Sequence, residues 1–316
     1  MYYCNAVEPL FGFEQVDTCF AHWVVGPPKE SELRRFHGMV ASPNFPLSAE
    51  RLRSMAELRV VSAYGVGYDY IDVAVASELG ILVTNTPDAV TNATAELGLT
   101  LVLAVCRNVL GHDAQMRRTH RPGQPNPTFA QARMTHDFSS QTVGIIGYGR
   151  IGQRLGRLLE AIGFATLYTR KHGPLEGHRG YRDMDDLLAE SDVVVVATPL
   201  TSDTFHLIDQ IALRRMKPEA ALVNIGRGAC VDESALIEAL DAGRLAGAAL
   251  DVFEHEPRVS ERLVALPQVI LSPHVGTLTQ ETRMLMTRQA IDNVKAGLEG
   301  RAQNAVNAAA WTRNRR

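Results

Sequence analysis

Thr142-Val143-Gly144-Ile145-Ile146-Gly147-Tyr148-Gly149-Arg150-Ile151-Gly152 is a short β-branched run that passes without interruption into the spacing G-x-G-x-x-G. Beyond it, Ile151, Leu155, Leu158, Leu159 and Ile162 recur as one apolar stripe of a helix. Strand, glycine turn and helix in that order predict a dinucleotide site. The first glycine permits a tight turn, the second lets backbone approach a pyrophosphate, and the third lets helix pack closely on strand. The helix N-terminus then offers N–H groups and the positive end of its dipole to the phosphates.

Working outward, strand-like and helix-like segments alternate, the pattern of βα units around a parallel sheet. The expected strands are Gly38 to Ser42, Arg59 to Ala63, Ile81 to Thr84, Thr142 to Ile146, Ala165 to Thr169, Asp192 to Ala197, Ala221 to Ile225, Gly247 to Leu250 and Val269 to Leu271. Several are continuous apolar runs, as parallel strands covered on both faces should be, Val193 to Val196 most plainly. Thr91 to Cys106 reads as a long connecting helix. From 107 to 140 the pattern fades into a loop composition around Arg121-Pro122-Gly123-Gln124-Pro125-Asn126-Pro127. A last helix starts near Gln280 and aligns Met284, Ile291, Val294 and Leu298. Before Tyr2-Tyr3-Cys4-Asn5 no clear first apolar strand is visible. No fixed-period repeat is present.

A chain of 316 residues suits two domains. A net charge of −3 argues against an extended basic surface for nucleic acid. Cys4, Cys19, Cys106 and Cys230 are scattered without C-x-x-C spacing and read as free thiols in a reducing compartment. The longest apolar stretches fall short of the roughly 20 residues of a membrane span. Met1 to Leu10 carries no Lys or Arg, so no secretory signal is expected and the cytoplasm is the default. Arg301, Arg313, Arg315 and Arg316 read as a solvated end.

The strand after the glycine turn should end near the adenosine ribose, where an NAD site places Asp or Glu. This chain places Thr169-Arg170-Lys171-His172 there. A guanidinium and an ammonium pair with a 2′-phosphate where a carboxylate repels it, so NADP(H) is favoured and NAD(H) stays possible.

Three later segments carry chemistry: Leu222-Val223-Asn224-Ile225-Gly226-Arg227-Gly228, Ala249-Leu250-Asp251-Val252-Phe253-Glu254-His255-Glu256-Pro257, and Ile270-Leu271-Ser272-Pro273-His274-Val275-Gly276-Thr277. In order, these segments resemble the signatures of the D-isomer-specific 2-hydroxyacid dehydrogenases. The reaction this implies, reduction of a 2-keto acid, requires a cation for the carboxylate, an acid for the developing alkoxide and a hydride-carrying cofactor, with no obligatory metal. The match runs from about Gly38 to Gly297 and includes Val61-Ser62-Ala63-Tyr64-Gly65-Val66-Gly67-Tyr68-Asp69, Thr94-Ala95-Glu96-Leu97 and Ala197-Thr198-Pro199-Leu200. The pattern is most similar to the glyoxylate/hydroxypyruvate reductase branch, whose members carry a Ser/Thr-Arg pair where Thr169-Arg170 stands. The segment Gly123 to Asp137 departs from the family in lacking a tryptophan-bearing stretch.

The resemblance implies an α/β fold of two Rossmann-like domains with parallel sheets: a nucleotide-binding domain, 93–284, inserted into a flavodoxin-like substrate domain, 1–92 and 285–316. It implies a homodimer and a small 2-keto or 2-hydroxy acid as substrate. Arg227 would hold the substrate carboxylate and keto oxygen, and His274 would donate a proton to that oxygen. Glu256, paired with His274, would orient the imidazole and favour its protonated form. The amides of Val66 and Gly67 would bind the carboxylate beside Tyr64. The cofactor contacts implied are Gly147, Tyr148, Gly149, Arg150, Ile151, Gly152, Thr169, Arg170 and Lys171, with Thr94, Thr198, Pro199, Ile225, Gly226, Asp251, His274, Gly276 and Thr277 along the cleft. No metal is expected.

Among the other histidines, His255 adjoins Glu256 but should point elsewhere as its chain neighbour. His206 reads as a packing or surface residue, and His22, His37, His112, His120, His136, His172 and His178 lack a supporting constellation. Asp69 and Asp72 read as acids at a helix start. Two alternatives stay open: an NAD-linked enzyme of other specificity (2-ketogluconate, phenylpyruvate, phosphite), and a dinucleotide-sensing, corepressor-like binding protein.

Overall fold

The computed structural model describes residues 3–5, 23–25, 31–123 and 133–314. The Gln124 to Pro127 part of the expected loop, Cys19, His22, Arg315, Arg316 and the side chains of Cys4 and Arg313 lie outside what is described. In chain order the elements are β1 Tyr3–Asn5, β2 Trp23–Val25, β3 Gly38–Ala41, α1 Ala49–Ser54, β4 Val60–Ala63, α2 Val73–Glu78, β5 Leu82–Thr84, α3 Thr91–Cys106 and α4 Val109–Thr119. There follow β6 Thr142–Ile146, α5 Arg150–Ala161, β7 Ala165–Thr169, α6 Met184–Glu190, β8 Val193–Val196, α7 Gln210–Arg215, β9 Ala221–Asn224, α8 Glu233–Asp241, β10 Gly247–Leu250, α9 Glu261–Val264, β11 Val269–Leu271, α10 Gln280–Leu298 and α11 Ala308–Asn314.

The chain divides into two compact units, Met1–Thr91 with Thr277–Arg316, and Asn92–Gly276. In the first, five parallel strands take the order β2-β1-β3-β4-β5, the flavodoxin-like arrangement. One face of this sheet packs Met39, Val61 and Val83 against Leu47, Leu52 and Val75. The other packs Val40, Val60 and Leu82 against Ala290, Ile291 and Val294 of α10 and against Trp311. Because α10 lies on β3 and β4 along its length, the return to this unit comes at Thr277, ahead of the expected 285. The buried seam of α10 also differs from the expected stripe: Met286 and Ala290 are fully buried, whereas Met284 is half-buried. Asp72 caps α2 by accepting from the amide of Val75 at 3.0 Å, the helix-start role read for it. Strands β1 and β2 are not among those expected from the sequence.

In the second unit six parallel strands take the order β11-β10-β9-β8-β6-β7. An isolated parallel bridge from Tyr168 to Tyr181 adds the vestige of a strand outside β7. Successive side chains of β8 alternate between two cores: Val193 and Val195 pack with α3 and α5, Val194 and Val196 with α6, α7 and α8. An uninterrupted valine run is stable here because both faces are covered. In α5, Leu155 and Leu159 are fully buried, but Ile162, the C-terminal cap, is exposed. Within the stretch expected as loop, Val109–Thr119 is helical and buries none of its residues, which is why no apolar stripe announced it. Cys106 and Cys230 are buried and form no disulfide. Burial and Asp192 push the Cys106 thiol up to about 12. Among the described residues no single helix is long and apolar enough to cross a membrane.

Candidate active site

The second unit's site is built on the carboxyl ends of its strands, beside the point where the order reverses around β6, the usual ligand crevice of such sheets. Gly147 turns the chain out of β6 at φ +96°, and a Cβ there would lie 2.8 Å from the backbone of Ala197 and Thr198. Both its conformation and its surroundings therefore demand glycine. Its amide bonds to the Thr169 carbonyl at 3.0 Å, tying the turn to β7. A Cβ on Gly149 would meet no atom within 4 Å, and α5 begins there without a side-chain cap. That open space before an uncapped helix N-terminus fits a pyrophosphate. Gly152 serves packing, since a Cβ would lie 2.3 Å from the Gly147 oxygen. The ring of Tyr148 is buried and stacked on Tyr168 at 4.0 Å, so Tyr148 offers its backbone to the turn. Ile151 is half-buried against the core, with its side chain likewise engaged in packing.

Beyond β8, Thr198 and Pro199 supply carbonyls near the buried Cys230 thiol. Beyond β9, Asn224 shapes the turn that carries Arg227. Its side-chain oxygen accepts from the Gly226 amide at 3.0 Å and its side-chain nitrogen donates to the Arg227 carbonyl at 2.9 Å. A Cβ on Gly228 would lie 1.9 Å from the Phe253 carbonyl, so this turn presses on the loop after β10. Ile225 is buried at the strand end.

Asp251, at the end of β10, is buried and spends both oxygens on the loop after β11. It accepts from the Ser272 hydroxyl at 2.6 Å, the Val275 amide at 2.9 Å and the Gly276 amide at 2.9 Å. Burial pushes its carboxyl above the ordinary value, against the pull of those donors and of His274. Asp251 thereby forms a strap that shapes the His274 loop. His274 itself sits at φ +53°, its amide held by the Asp251 carbonyl at 2.8 Å. Its Nδ1 lies 2.8 Å from Glu256 Oε2. Facing a carboxylate, Nδ1 carries the hydrogen and donates, which leaves Nε2 as the ring nitrogen for other work. Glu256 Oε1 accepts from the Phe253 amide at 2.9 Å. Burial raises the Glu256 carboxyl, but the hydrogen bond and charge of His274, the Phe253 amide and Arg227 together hold it below the ordinary value. His255 is exposed in the turn after β10, while its neighbour Glu256 turns to His274. Thr94 on α3 reaches this loop, donating to the Gly276 carbonyl at 3.3 Å.

At the end of β7, Arg170 is half-buried, whereas Lys171 pairs with Asp203 at 2.5 Å. The lysine's charge, expected for a phosphate, is matched by a carboxylate that the sequence did not single out. His206, read as a packing or surface residue, stacks on Phe205 and also has a charged partner: its Nε2 lies 2.7 Å from Glu254 Oε1, a second histidine–glutamate pair in this unit.

In the first unit, the turn Gly65–Gly67 has its carbonyls claimed by the Thr86 amide at 2.9 Å and the Asn85 side chain at 2.9 Å. Among the described residues no acceptor takes the amides of Val66 and Gly67. The Tyr64 hydroxyl is engaged with Thr287 Oγ1 at 3.1 Å and the Arg283 carbonyl at 3.3 Å, so α10 fixes the ring. Thr277 opens the return segment of this unit.

A glycine turn at the switch point of a parallel sheet, with a histidine–glutamate pair on loops at the carboxyl edge of the same sheet, defines a dinucleotide-linked oxidoreductase site. Residues 99–276 match the model of the D-isomer specific 2-hydroxyacid dehydrogenase NAD binding domain. The chain is 41% identical to a glyoxylate reductase of Thermococcus gammatolerans over 85% of this chain and 82% of that protein. Among solved structures, a glyoxylate reductase from Paecilomyes thermophila superposes with a TM-score of 0.86 at 28% identity, covering 98% of this chain and 99% of that one. An NADPH-dependent glyoxylate/hydroxypyruvate reductase from Sinorhizobium meliloti, solved with NADP and malonate, superposes with a TM-score of 0.80 at 31% identity, covering 93% and 92%. The chain belongs to the D-isomer specific 2-hydroxyacid dehydrogenase family, NAD(P)-dependent oxidoreductases acting on CH–OH groups. Within it, the chain falls in the glyoxylate/hydroxypyruvate reductase branch.

Proposed function

We propose that the protein is an NADPH-preferring reductase of small 2-keto acids, glyoxylate and hydroxypyruvate first, yielding D-2-hydroxy acids. The observation that carries this reading is the His274–Glu256 hydrogen bond of 2.8 Å on a strand-end loop strapped by Asp251. A nicotinamide dinucleotide, when bound, supplies the hydride that arrives at the carbonyl carbon. His274 Nε2 holds the proton that passes to the carbonyl oxygen, so hydride and proton together convert ketone to alcohol. Glu256 keeps the ring in one orientation and balances the charge of the protonated form. Arg227 offers a planar fork to the substrate carboxylate and keto oxygen. The unclaimed amides of Val66 and Gly67 support the carboxylate-binding role the sequence assigns them. The names of the glyoxylate reductases and of the NADPH-dependent relative support the substrate class and the cofactor.

The choice of NADPH rests on Arg170, since Lys171 is already paired. The testing experiment follows loss of reduced-cofactor absorbance with NADPH and, separately, NADH against glyoxylate, hydroxypyruvate, pyruvate, 2-ketogluconate and phenylpyruvate. Fast NADPH-linked reduction of the two smallest polar acids is the expected result; turnover only with NADH would remove the cofactor reading. Arg170→Asp should shift preference toward NADH, and an unchanged preference would mean that a 2′-phosphate is read elsewhere. Cofactor binding without turnover of any keto acid would favour the dinucleotide-sensing alternative. A homodimer in the cytoplasm completes the proposal.

A further inference from the structure

Three loops of the second unit meet at a pair of residues outside the proposed chemistry. Glu254 is largely buried, with 12% of its side chain exposed, and each of its carboxylate oxygens has a partner: Oε1 the His206 ring at 2.7 Å, Oε2 the Glu233 amide at 3.0 Å. Glu233 is the first residue of α8, so a carboxylate sits where the helix N-terminus favours an anion. The Glu254 amide returns a bond to the Glu233 carboxylate at 3.3 Å.

His206 is fixed from its own side. Its backbone takes the left-handed conformation at φ +49°, its amide donates to the Ala229 carbonyl at 2.8 Å, and Ile208 continues the pairing to Cys230 at 3.0 Å. Those acceptors follow directly on Arg227 and Gly228. The same Gly228 packs without room for a Cβ against the Phe253 carbonyl, and Phe253 gives its amide to Glu256. The loop that aims Arg227 and the loop that aims Glu256 at His274 are therefore both bound to the His206–Glu254 pair.

We infer that His206 is a positioning residue, which through its bond to Glu254 holds Arg227 and Glu256 in register for the reaction. The inference rests on the roles proposed for Arg227, Glu256 and His274. Losing the ring leaves a largely buried carboxylate without its partner, and such a group moves toward water or another donor. Glu256 lies two residues further along the chain, and displacements on the order of 1 Å in a reacting constellation cost about a hundredfold in rate.

The test compares His206→Leu, which has no polar atom for Glu254, with His206→Gln, whose amide nitrogen can still donate to it. Glyoxylate kinetics, NADPH affinity by fluorescence titration, melting temperature and the Nδ1-bound proton resonance of His274 are read on each holoenzyme. His206→Leu is expected to lower kcat about tenfold and to raise KM, leave NADPH affinity unchanged and shift or broaden the His274 resonance. His206→Gln is expected to recover most of both kinetic losses. Wild-type kcat and KM in His206→Leu overturn the inference. So does a fall in melting temperature alone, with kinetics per folded molecule intact, because the pair would then be merely structural. If His206→Leu does not fold, Glu254→Gln takes its place with the same expectations. If the wild-type protein reduces no keto acid, the proposed function fails separately, and the His274 resonance still reports whether His206 controls its hydrogen bond.

Discussion

A single hydrogen bond distinguishes the two ring nitrogens of His274: Nδ1 is committed to Glu256, and Nε2 is left for the proposed proton transfer to a substrate oxygen. His274→Ala is expected to lower kcat by about 10²–10⁴, the range for a positioned acid, with NADPH affinity intact by fluorescence titration. A wild-type kcat would end the proton-donor assignment. Arg227→Ala should instead raise KM and lower kcat together, because in its proposed role the guanidinium acts on bound substrate and transition state alike. Glu256 also sets a pH dependence. Its folded value lies below that of the unfolded chain, so its charge stabilises the fold at pH above the ordinary glutamate value, and this is lost as pH falls through the folded value. Asp251 has the opposite sign, since its raised carboxyl makes ionisation unfavourable as pH rises. The melting-temperature gap between wild type and Glu256→Gln should accordingly be largest near neutrality and close on acidification, as read by thermal scans across pH. Arg227, Glu256 and His274 were singled out because the three segments that carry them, each weak alone, resemble the family's signatures when taken in order. His206 was not, because its partner is 48 residues away and nothing local marks the pairing.

Among the elements, the β6–turn–α5 unit was fully announced by its sequence, because the constraints on it are local: β-branched residues, glycine spacing, then a helical stripe. Its sharpest test is Gly147→Ala. The new Cβ would meet backbone at 2.8 Å in a left-handed conformation, so a stability loss of about 1–3 kcal/mol from strain alone and loss of dinucleotide binding are expected. Chemical denaturation and NADPH titration measure the two, and an unperturbed variant would contradict the turn as described. The Asp251 strap between the ends of β10 and β11 was only half legible. Its acid was noticed, but its partners Ser272, Val275 and Gly276 lie on the next strand's loop, and only pairing of β10 with β11 brings them within reach. Helix α4 was missed for the opposite reason: it buries nothing in its own unit and so leaves no periodic signature.

For the whole molecule, that lack of burial becomes a prediction. Val109 and Leu110 are each half exposed and Met116 is 41% exposed on α4, an apolar surface suited to the proposed homodimer. Leu110→Glu is expected to lower the mass seen by sedimentation from dimer toward the 34.6 kDa chain, while a dimer of unchanged affinity would place the interface elsewhere. At this scale the sequence by itself determined that the chain is α/β with parallel sheets and that it holds a dinucleotide turn at Gly147, and its family resemblance singled out the residues proposed to bear the chemistry. Hydrophobic period, glycine spacing and side-chain type are properties of neighbours along the chain. Only the tertiary structure decided that α10 returns whole to the first sheet, that Tyr148 turns inward to Tyr168, that Lys171 is matched by Asp203, and that Glu254 is claimed by His206. Each of these depends on packing or charge pairing between segments far apart in sequence, which strand order alone brings together.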